Sequence, residues 1–301
     1  MRILRYPLFF VVYKMFGFLY NTGMSYILAT IAAITFWGSS FIGTKFAYIS
    51  FTPVFTCFLR FLLAWLVLFL IRFFVGKEQV EKKDHFWIAL SALVGISLYY
   101  MLENIALGWT SSSYAALITG SYPVISILIG FLFFKEKLTK RMVAGMCLAL
   151  CGVVVLSNVS GGSNLLGNVI LVFDGVLWGL YNYMVPRFNT KYSAVTITYY
   201  QTLYGVVFLV PFALMDSHTV GPITVTAELA VIFLGTCCSV AAYVLYTYGL
   251  RKVSCATAAS LANLMPVIGV VLSYLLLKES ISFIQALGGA AILTGVIISN
   301  S

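Results

Sequence analysis

Arg60, Glu103 and Asp174 lie inside long apolar runs of this 301-residue chain. An ionisable side chain in a membrane-spanning run costs roughly 2.5–3.5 kcal/mol, so its retention points to a task. A carboxylate in that setting can meet a cationic group, exchange a proton or pair with a guanidinium. Asp174 is followed one helical turn on by Trp178, then by Tyr181 and Asn182 on nearly the same face. That stripe suits an aromatic or cationic ligand through stacking and cation–π contact; a packing hydrogen bond from Asp174 to a neighbouring hydroxyl is the plainer alternative. Arg60 and Glu103 fall at similar depth in adjacent runs, which permits a structural ion pair. Glu103 facing a cavity, or pairing with Lys45, are the other readings left open.

A second stretch, "WGSSFIGTKF" from Trp37 to Phe46, has the outline of a phosphate-binding loop with its last two letters exchanged. The true motif needs Lys before the hydroxyl residue, a strand before and a helix after. Here the preceding residues, "YILATIAAITF", form an apolar run with no turn. The stretch therefore reads as a close-packed polar stripe on a membrane helix, with Trp37 and Ser40 as candidates for a cavity wall.

The elements that must position these groups follow from composition. With 61% hydrophobic and 9% charged residues, the chain cannot cover an aqueous surface, for which about 25% charged is usual. It is expected to be an all-α integral membrane protein. Windows of about 20 apolar residues give ten candidate spans, near 25–46, 54–75, 86–108, 113–134, 141–158, 164–186, 195–215, 226–249, 255–277 and 283–300.

The net charge of +9 is an orientation signal rather than a mark of nucleic-acid binding. Arg72, Lys77, Lys82 and Lys83 follow the second span, and Lys135, Lys137, Lys140 and Arg141 follow the fourth. Arg187 and Lys191 follow the sixth, Arg251 and Lys252 the eighth, while the loops after the third, fifth and seventh spans hold no Lys or Arg. By the positive-inside rule, both termini are then cytoplasmic and the chain is a multi-pass protein. Residues 1–24 begin like a signal peptide, but Lys14 cuts the apolar core and no small-residue cleavage site follows. They read as an N-terminal interfacial segment, or as an over-long start of the reading frame. Neither the six cysteines nor the two histidines have metal-ligand spacing, so no metal and no cofactor is expected.

The chain is written twice. At an offset of 143, Tyr100 lies over Tyr243, Leu107 over Leu250, Pro123 over Pro266, Lys135 over Lys278, Gly145 over Gly288 and Gly152 over Gly295. The earlier parts match more loosely, with Trp37 on Trp178. Each half, 25–158 and 164–300, then carries five spans, and an odd number makes the halves inverted repeats. Many secondary transporters are built this way, with the substrate site near the midplane between the halves. Pro123 and Pro266 each free a backbone carbonyl that can shape such a cavity, and Asn263, just before Pro266, is a hydrogen-bonding candidate.

These blocks carry a family likeness. "WGSSFIGTKFA", "FLRFLLAWLVL" and the twin blocks "SSSYAALITGSYPVISILIGFLFFKEKLTKRMVAGMCLALCGVVV" and "SCATAASLANLMPVIGVVLSYLLLKESISFIQALGGAAILTGVII" resemble the drug/metabolite transporter superfamily in its EamA-type ten-helix branch. The resemblance covers residues 25–300. It implies a central cavity between two five-helix halves and export or exchange of small metabolites, amino-acid-like or nucleotide-type, to which the Asp174 stripe adds aromatic ones. It also implies the cell inner (plasma) membrane, and Arg60 belongs to its usual "LRF" pattern. Glu103 and Asp174 depart from what many relatives are expected to hold.

The expected function is thus transport of small organic metabolites by alternating access, facilitative or gradient-driven. Trp37, Ser40, Tyr100 and Glu103 are the substrate-binding candidates from the first half. Asp174, Trp178, Tyr181, Asn182, Tyr246 and Asn263 are those from the second. Since desolvation disfavours a charged carboxylate, proton coupling would fall to Asp174 first and Glu103 second. The expected partners are the lipid bilayer and a small-molecule substrate, with a monomeric chain and no nucleic acid. An integral membrane enzyme acting on a lipid-linked substrate is the alternative; it needs Asp174, Glu103 and Arg60 to converge on one pocket.

Overall fold

The structure is a computed structural model that describes residues 23–75, 78–135, 137–157, 164–253 and 261–300. The interfacial segment expected at 1–24 lies outside the described residues except for its last two, and so does the start of the second twin block. Among the described residues no strand forms beyond an isolated bridge between Phe51 and Thr219.

The helices are α1 (Gly23–Ala47), α2 (Pro53–Val75), α3 (Lys82–Trp109), α4 (Ser112–Phe134) and α5 (Lys140–Ser157). They are followed by α6 (Leu165–Phe188), α7 (Ala194–Met215), α8 (Val225–Gly249), α9 (Leu264–Leu276) and α10 (Phe283–Asn300). Seven of them, α1 to α4 and α6 to α8, are long and apolar enough to cross a membrane. The described parts of α5, α9 and α10 are shorter, at 18, 13 and 18 residues. The outward faces carry Phe69, Phe73, Phe133, Leu214 and Leu275 exposed, as an all-α membrane protein requires.

The halves are turned over with respect to each other, and one contact makes this visible. The repeat-related helices α5 and α10 cross with Gly145 against Gly295 and Ser299, and Gly152 against Gly288 and Ile292. Gly145 is the twin of Gly288 and Gly152 the twin of Gly295, so each glycine meets its partner's twin, as a two-fold axis dictates. Ascending numbers in one helix meet descending numbers in the other, so the pair is antiparallel. A Cβ on Gly152 would sit 2.6 Å from the Gly288 carbonyl oxygen. Only glycine permits this approach, and close backbone contact is a principal source of helix association in lipid.

Local irregularities also come in pairs. Lys135 and Lys278 are twins, and both adopt a left-handed backbone, with φ of 58° and 53°. A π turn at Leu93–Leu98 interrupts α3, and another at Leu234–Ala241 interrupts α8; the offset lays the first upon the end of the second. α4 breaks at Gly120–Ser121, and Asn263, the twin of Gly120, is the N-cap of α9. The two breaks touch, since a Cβ on Gly120 would meet Pro266 at 2.9 Å.

The stripe in α1 resolves in the same way. Gly38 packs against Met265 and Ile268 of α9, and Gly43 against Phe233 and Leu234 of α8. Ser39 and Ser40 donate to the carbonyls of Phe36 and Trp37 in their own helix. The small residues are there to let helices of opposite halves approach.

Gly152→Leu should therefore force α5 and α10 apart and destabilise the protein by about 1–3 kcal/mol, the usual range for overpacking. Gly221→Ala, where a Cβ has only Ile49 O at 3.9 Å, should be neutral. Thermal denaturation of the purified variants in detergent checks both.

Candidate functional site

Between the halves lies a cavity of about 970 Å³. Its deep wall is built by Trp37 and Ser40 of α1, Tyr99, Tyr100 and Glu103 of α3, Tyr122 of α4, Trp178 of α6 and Tyr246 of α8. Its mouth is formed by Thr139–Met142, by Pro186 and Thr190, and by Leu250 and Ala262. All of these flank the loops that carry the basic residues, so the cavity opens on the basic face.

The wall is a set of interlocked rings. Trp37 stands edge-on to Trp178 at 5.5 Å and lies 4.9 Å from Tyr246. Tyr99 approaches Trp178 at 5.6 Å and Tyr100 at 4.7 Å. Trp178 stacks on Tyr181 at 5.5 Å. Separations of this size are attractive for aromatic pairs and fix the rings as a preformed surface. Rings from both halves contribute, so the surface exists only where the halves meet.

Both π turns feed this surface. The wider turn disturbs the helical hydrogen-bond ladder, and its carbonyls become available to side chains. The Cys238 carbonyl accepts from Trp37 Nε1 at 3.1 Å and from an Arg60 terminal nitrogen at 3.3 Å. At the twin position, the Gly95 carbonyl accepts from the Tyr243 hydroxyl at 3.2 Å. In each case donor and acceptor belong to opposite halves.

Arg60 and Glu103 are not an ion pair. The buried guanidinium donates from Nε to Ser239 Oγ at 2.7 Å and lies over the Tyr100 ring at 4.3 Å. The two salt bridges formed among the described residues are Lys83–Glu81 and Lys191–Asp84. The reason is the π turn of α8, which presents a carbonyl and a hydroxyl where a carboxylate was expected. Glu103 instead accepts from the Tyr99 hydroxyl at 3.1 Å and lies on the cavity wall. Lys45, the rival partner, bonds the carbonyls of Leu107 and, at 2.7 Å, Thr110.

Of the other expected contacts, Trp37, Ser40, Tyr100, Trp178, Asn182 and Tyr246 border the cavity. Asp174 does not: it is fully buried behind the wall, and neither carboxylate oxygen has a hydrogen-bond partner among the described residues. Tyr181 lies in a second layer, its ring against Gly95 and its hydroxyl 3.4 Å from Gln201 Oε1. Asn263 caps α9 away from the wall, with Oδ1 unpaired. Sequence reasoning passed over Tyr99 and Tyr122. Tyr99 was legible as the neighbour of Tyr100, and Tyr122 as the residue before Pro123. Nothing in the sequence marks the π turns.

Among the described residues, no three His, Cys, Asp or Glu side chains are grouped to hold a metal ion.

The comparisons with known proteins agree with this architecture. A model of the EamA-like transporter family matches residues 24–158 and again residues 165–301. An uncharacterized transporter of Archaeoglobus fulgidus is 31% identical over 276 residues, covering 88% of this chain and 93% of the relative. The uncharacterized transporter YetK of Bacillus subtilis is 27% identical over 294 residues, covering 94% and 89%. A probable terminal-alkyne amino-acid exporter of Streptantibioticus cattleyicolor is 25% identical, covering 75% and 76%. A crystal structure described only as that of a protein shares the fold, with a TM-score of 0.67 at 21% identity, over 91% of this chain and 96% of that one. The chain belongs to the EamA-like transporter family and is a multi-pass membrane protein.

Proposed function

We propose that the protein carries small organic metabolites with an aromatic or amino-acid-like part, by alternating access of the central cavity to the two faces of the membrane. The observation that carries this reading is the ring-lined cavity of about 970 Å³ at the junction of the halves, whose lining among the described residues reaches the basic face. A volume near the top of the usual 300–1,000 Å³ range for ligand sites suits a metabolite rather than an ion. Trp37, Trp178, Tyr99 and Tyr246 offer faces and edges for stacking, and Ser40, Asn182 and Glu103 offer polar contacts at its margins. The amino-acid exporter among the relatives supports the amino-acid-like class.

The basic face is the cytoplasmic one by the positive-inside rule, with both termini then in the cytoplasm; the family likeness supports the inner (plasma) membrane as the location. In this arrangement the cavity is loaded from the cytoplasm. Transport is facilitative or driven by a gradient. If protons drive it, Asp174 and Glu103 are the carriers: Glu103 meets the cavity directly, and Asp174 is buried behind the wall beside Tyr122.

Mass spectrometry of metabolites inside and outside cells expressing the wild type, Trp178→Ala or no transporter tests the reading. A small set of compounds should redistribute with the wild type. Trp178→Ala should raise the half-saturating concentration roughly two- to tenfold, the worth of one aromatic contact. No redistribution by a wild-type protein that reaches the membrane would sink the proposal. In vesicles, an imposed proton gradient should accelerate wild-type transport and leave Asp174→Asn unaccelerated. Gradient-dependent transport by Asp174→Asn would remove Asp174 from the coupling.

A further inference from the structure

The two halves touch near both faces of the bundle, and symmetry sorts these contacts into two kinds. On the non-basic face, the α1–α2 turn joins the α7–α8 loop. Thr52 N–H donates to the His218 carbonyl at 3.1 Å, Val220 N–H to the Ser50 carbonyl at 3.0 Å, and Ser50 Oγ to the Pro222 carbonyl at 2.9 Å. On the basic face, the repeat-related α2–α3 and α6–α7 connections join in the same way. Tyr192 donates to Asp84 at 2.7 Å, Lys191 pairs with Asp84 at 3.0 Å, and Ser193 N–H donates to Glu78 at 2.9 Å. Thr52 and Ser193 stand at twin positions, and each caps the helix that follows. Glu78 lies outside the spans; burial alone would raise its pKa, but the bonds from Ser193 and Thr196 hold it below the ordinary carboxylate value. Both members of this pair of joints are made at once, so neither distinguishes the two faces.

A further contact between halves at the non-basic face is of another kind; its repeat-related positions, Glu136, Cys255 and Ala256, lie outside the described residues. The α3–α4 turn is gripped at both ends. Glu279, from the α9–α10 loop of the other half, accepts from Ser112 N–H at 3.1 Å, Ser113 N–H at 3.0 Å and Ser113 Oγ at 2.7 Å. It thereby neutralises the positive end of α4, where a carboxylate is favoured. Lys45 bonds the last carbonyls of α3, Leu107 and Thr110, where a cation is favoured. The repeat-related place on the basic face lies between the α4–α5 and α8–α9 connections. There the cavity mouth separates Thr139–Met142 from Leu250 and Ala262. The non-basic face is thus gripped at this turn, while on the basic face the described residues flanking the repeat-related place line the cavity.

We propose that Glu279 is the latch that seals the cavity on the non-basic face, and that its release from the N-terminus of α4 opens that face. The two symmetric joints hold the halves together throughout, and the α3–α4 turn moves against the α9–α10 loop. The proposal rests on the alternating-access reading and names the contact that must break for it.

The test is side-specific labelling of Ser40→Cys on the cavity wall, in a full-length chain whose native cysteines are replaced, with a membrane-impermeant maleimide applied to either face of oriented vesicles. With Glu279 intact, labelling should come overwhelmingly from the basic face. Glu279→Ala removes three hydrogen bonds and should raise labelling from the opposite face about tenfold or more. Glu279→Gln, which keeps an acceptor oxygen, should fall between. Ser50→Ala, in a symmetric joint, should leave the ratio of the two faces unchanged. A folded Glu279→Ala protein, its melting curve cooperative, that keeps the wild-type ratio overturns the latch, as does a Ser50→Ala shift of equal size. Absence of labelling from both faces in every variant overturns alternating access itself, a different result from one-sided labelling that does not move.

Discussion

In hydrocarbon, a backbone carbonyl that leaves the helical ladder must find a partner inside the protein. The fold applies that constraint twice, at twin positions. The π turns of α3 and α8 present the carbonyls of Gly95 and Cys238, and each is taken by side chains of the opposite half. These bonds join the halves at the cavity wall and fix the rings that line it. Trp37 is held by its indole nitrogen at the same atom that engages Arg60, so the wall and the buried charge share an anchor. Bonds of this kind are worth about 0.6 kcal/mol each on average in a membrane interior. That is enough to orient a wall, and too little to prevent the halves from shifting.

The positions of the three intramembrane charges follow from the same anchor. Arg60 has no carboxylate against it, yet its charge is spread over a hydroxyl, a carbonyl and the face of Tyr100. Glu103 is left for the cavity, steadied by Tyr99. Asp174 sits one turn behind Trp178, within reach of the wall but outside it. Arg60 is thus held by the π turn, Glu103 stands on the wall and Asp174 is buried off it.

Much of the fold was legible because it rests on signals that survive in one sequence. The glycines at 145, 152, 288 and 295 recur at one offset, and the structure places each against its partner's twin. The left-handed Lys135 and Lys278 stand in matching "FFKEK" and "LLKES" contexts, which announce the ends of α4 and α9. The site was half legible. Trp37, Tyr100, Glu103, Trp178 and Tyr246 reach the wall because polar and aromatic side chains in apolar helices collect where the halves face each other. Asp174, Tyr181 and Asn263 do not, because the axial depth that a sequence provides does not say which side of a helix meets a cavity. The Arg60–Glu103 pairing failed for a related reason. The π turn of α8 offers Arg60 a carbonyl and a hydroxyl, and no local motif marks that turn.

The central claim is that the two symmetric joints between halves are permanent and the Glu279 contact is made and broken. It is tested most directly by spin-label distances across the cavity mouth, between Lys140 and Lys252, in protein reconstituted into bilayers. The account predicts two distance populations, with Glu279→Ala shifting weight to the shorter one as the basic face closes, while a label pair across the Asp84–Lys191 joint keeps a single distance. A single unchanging distance across the mouth, or a joint that widens in step with it, would contradict the account.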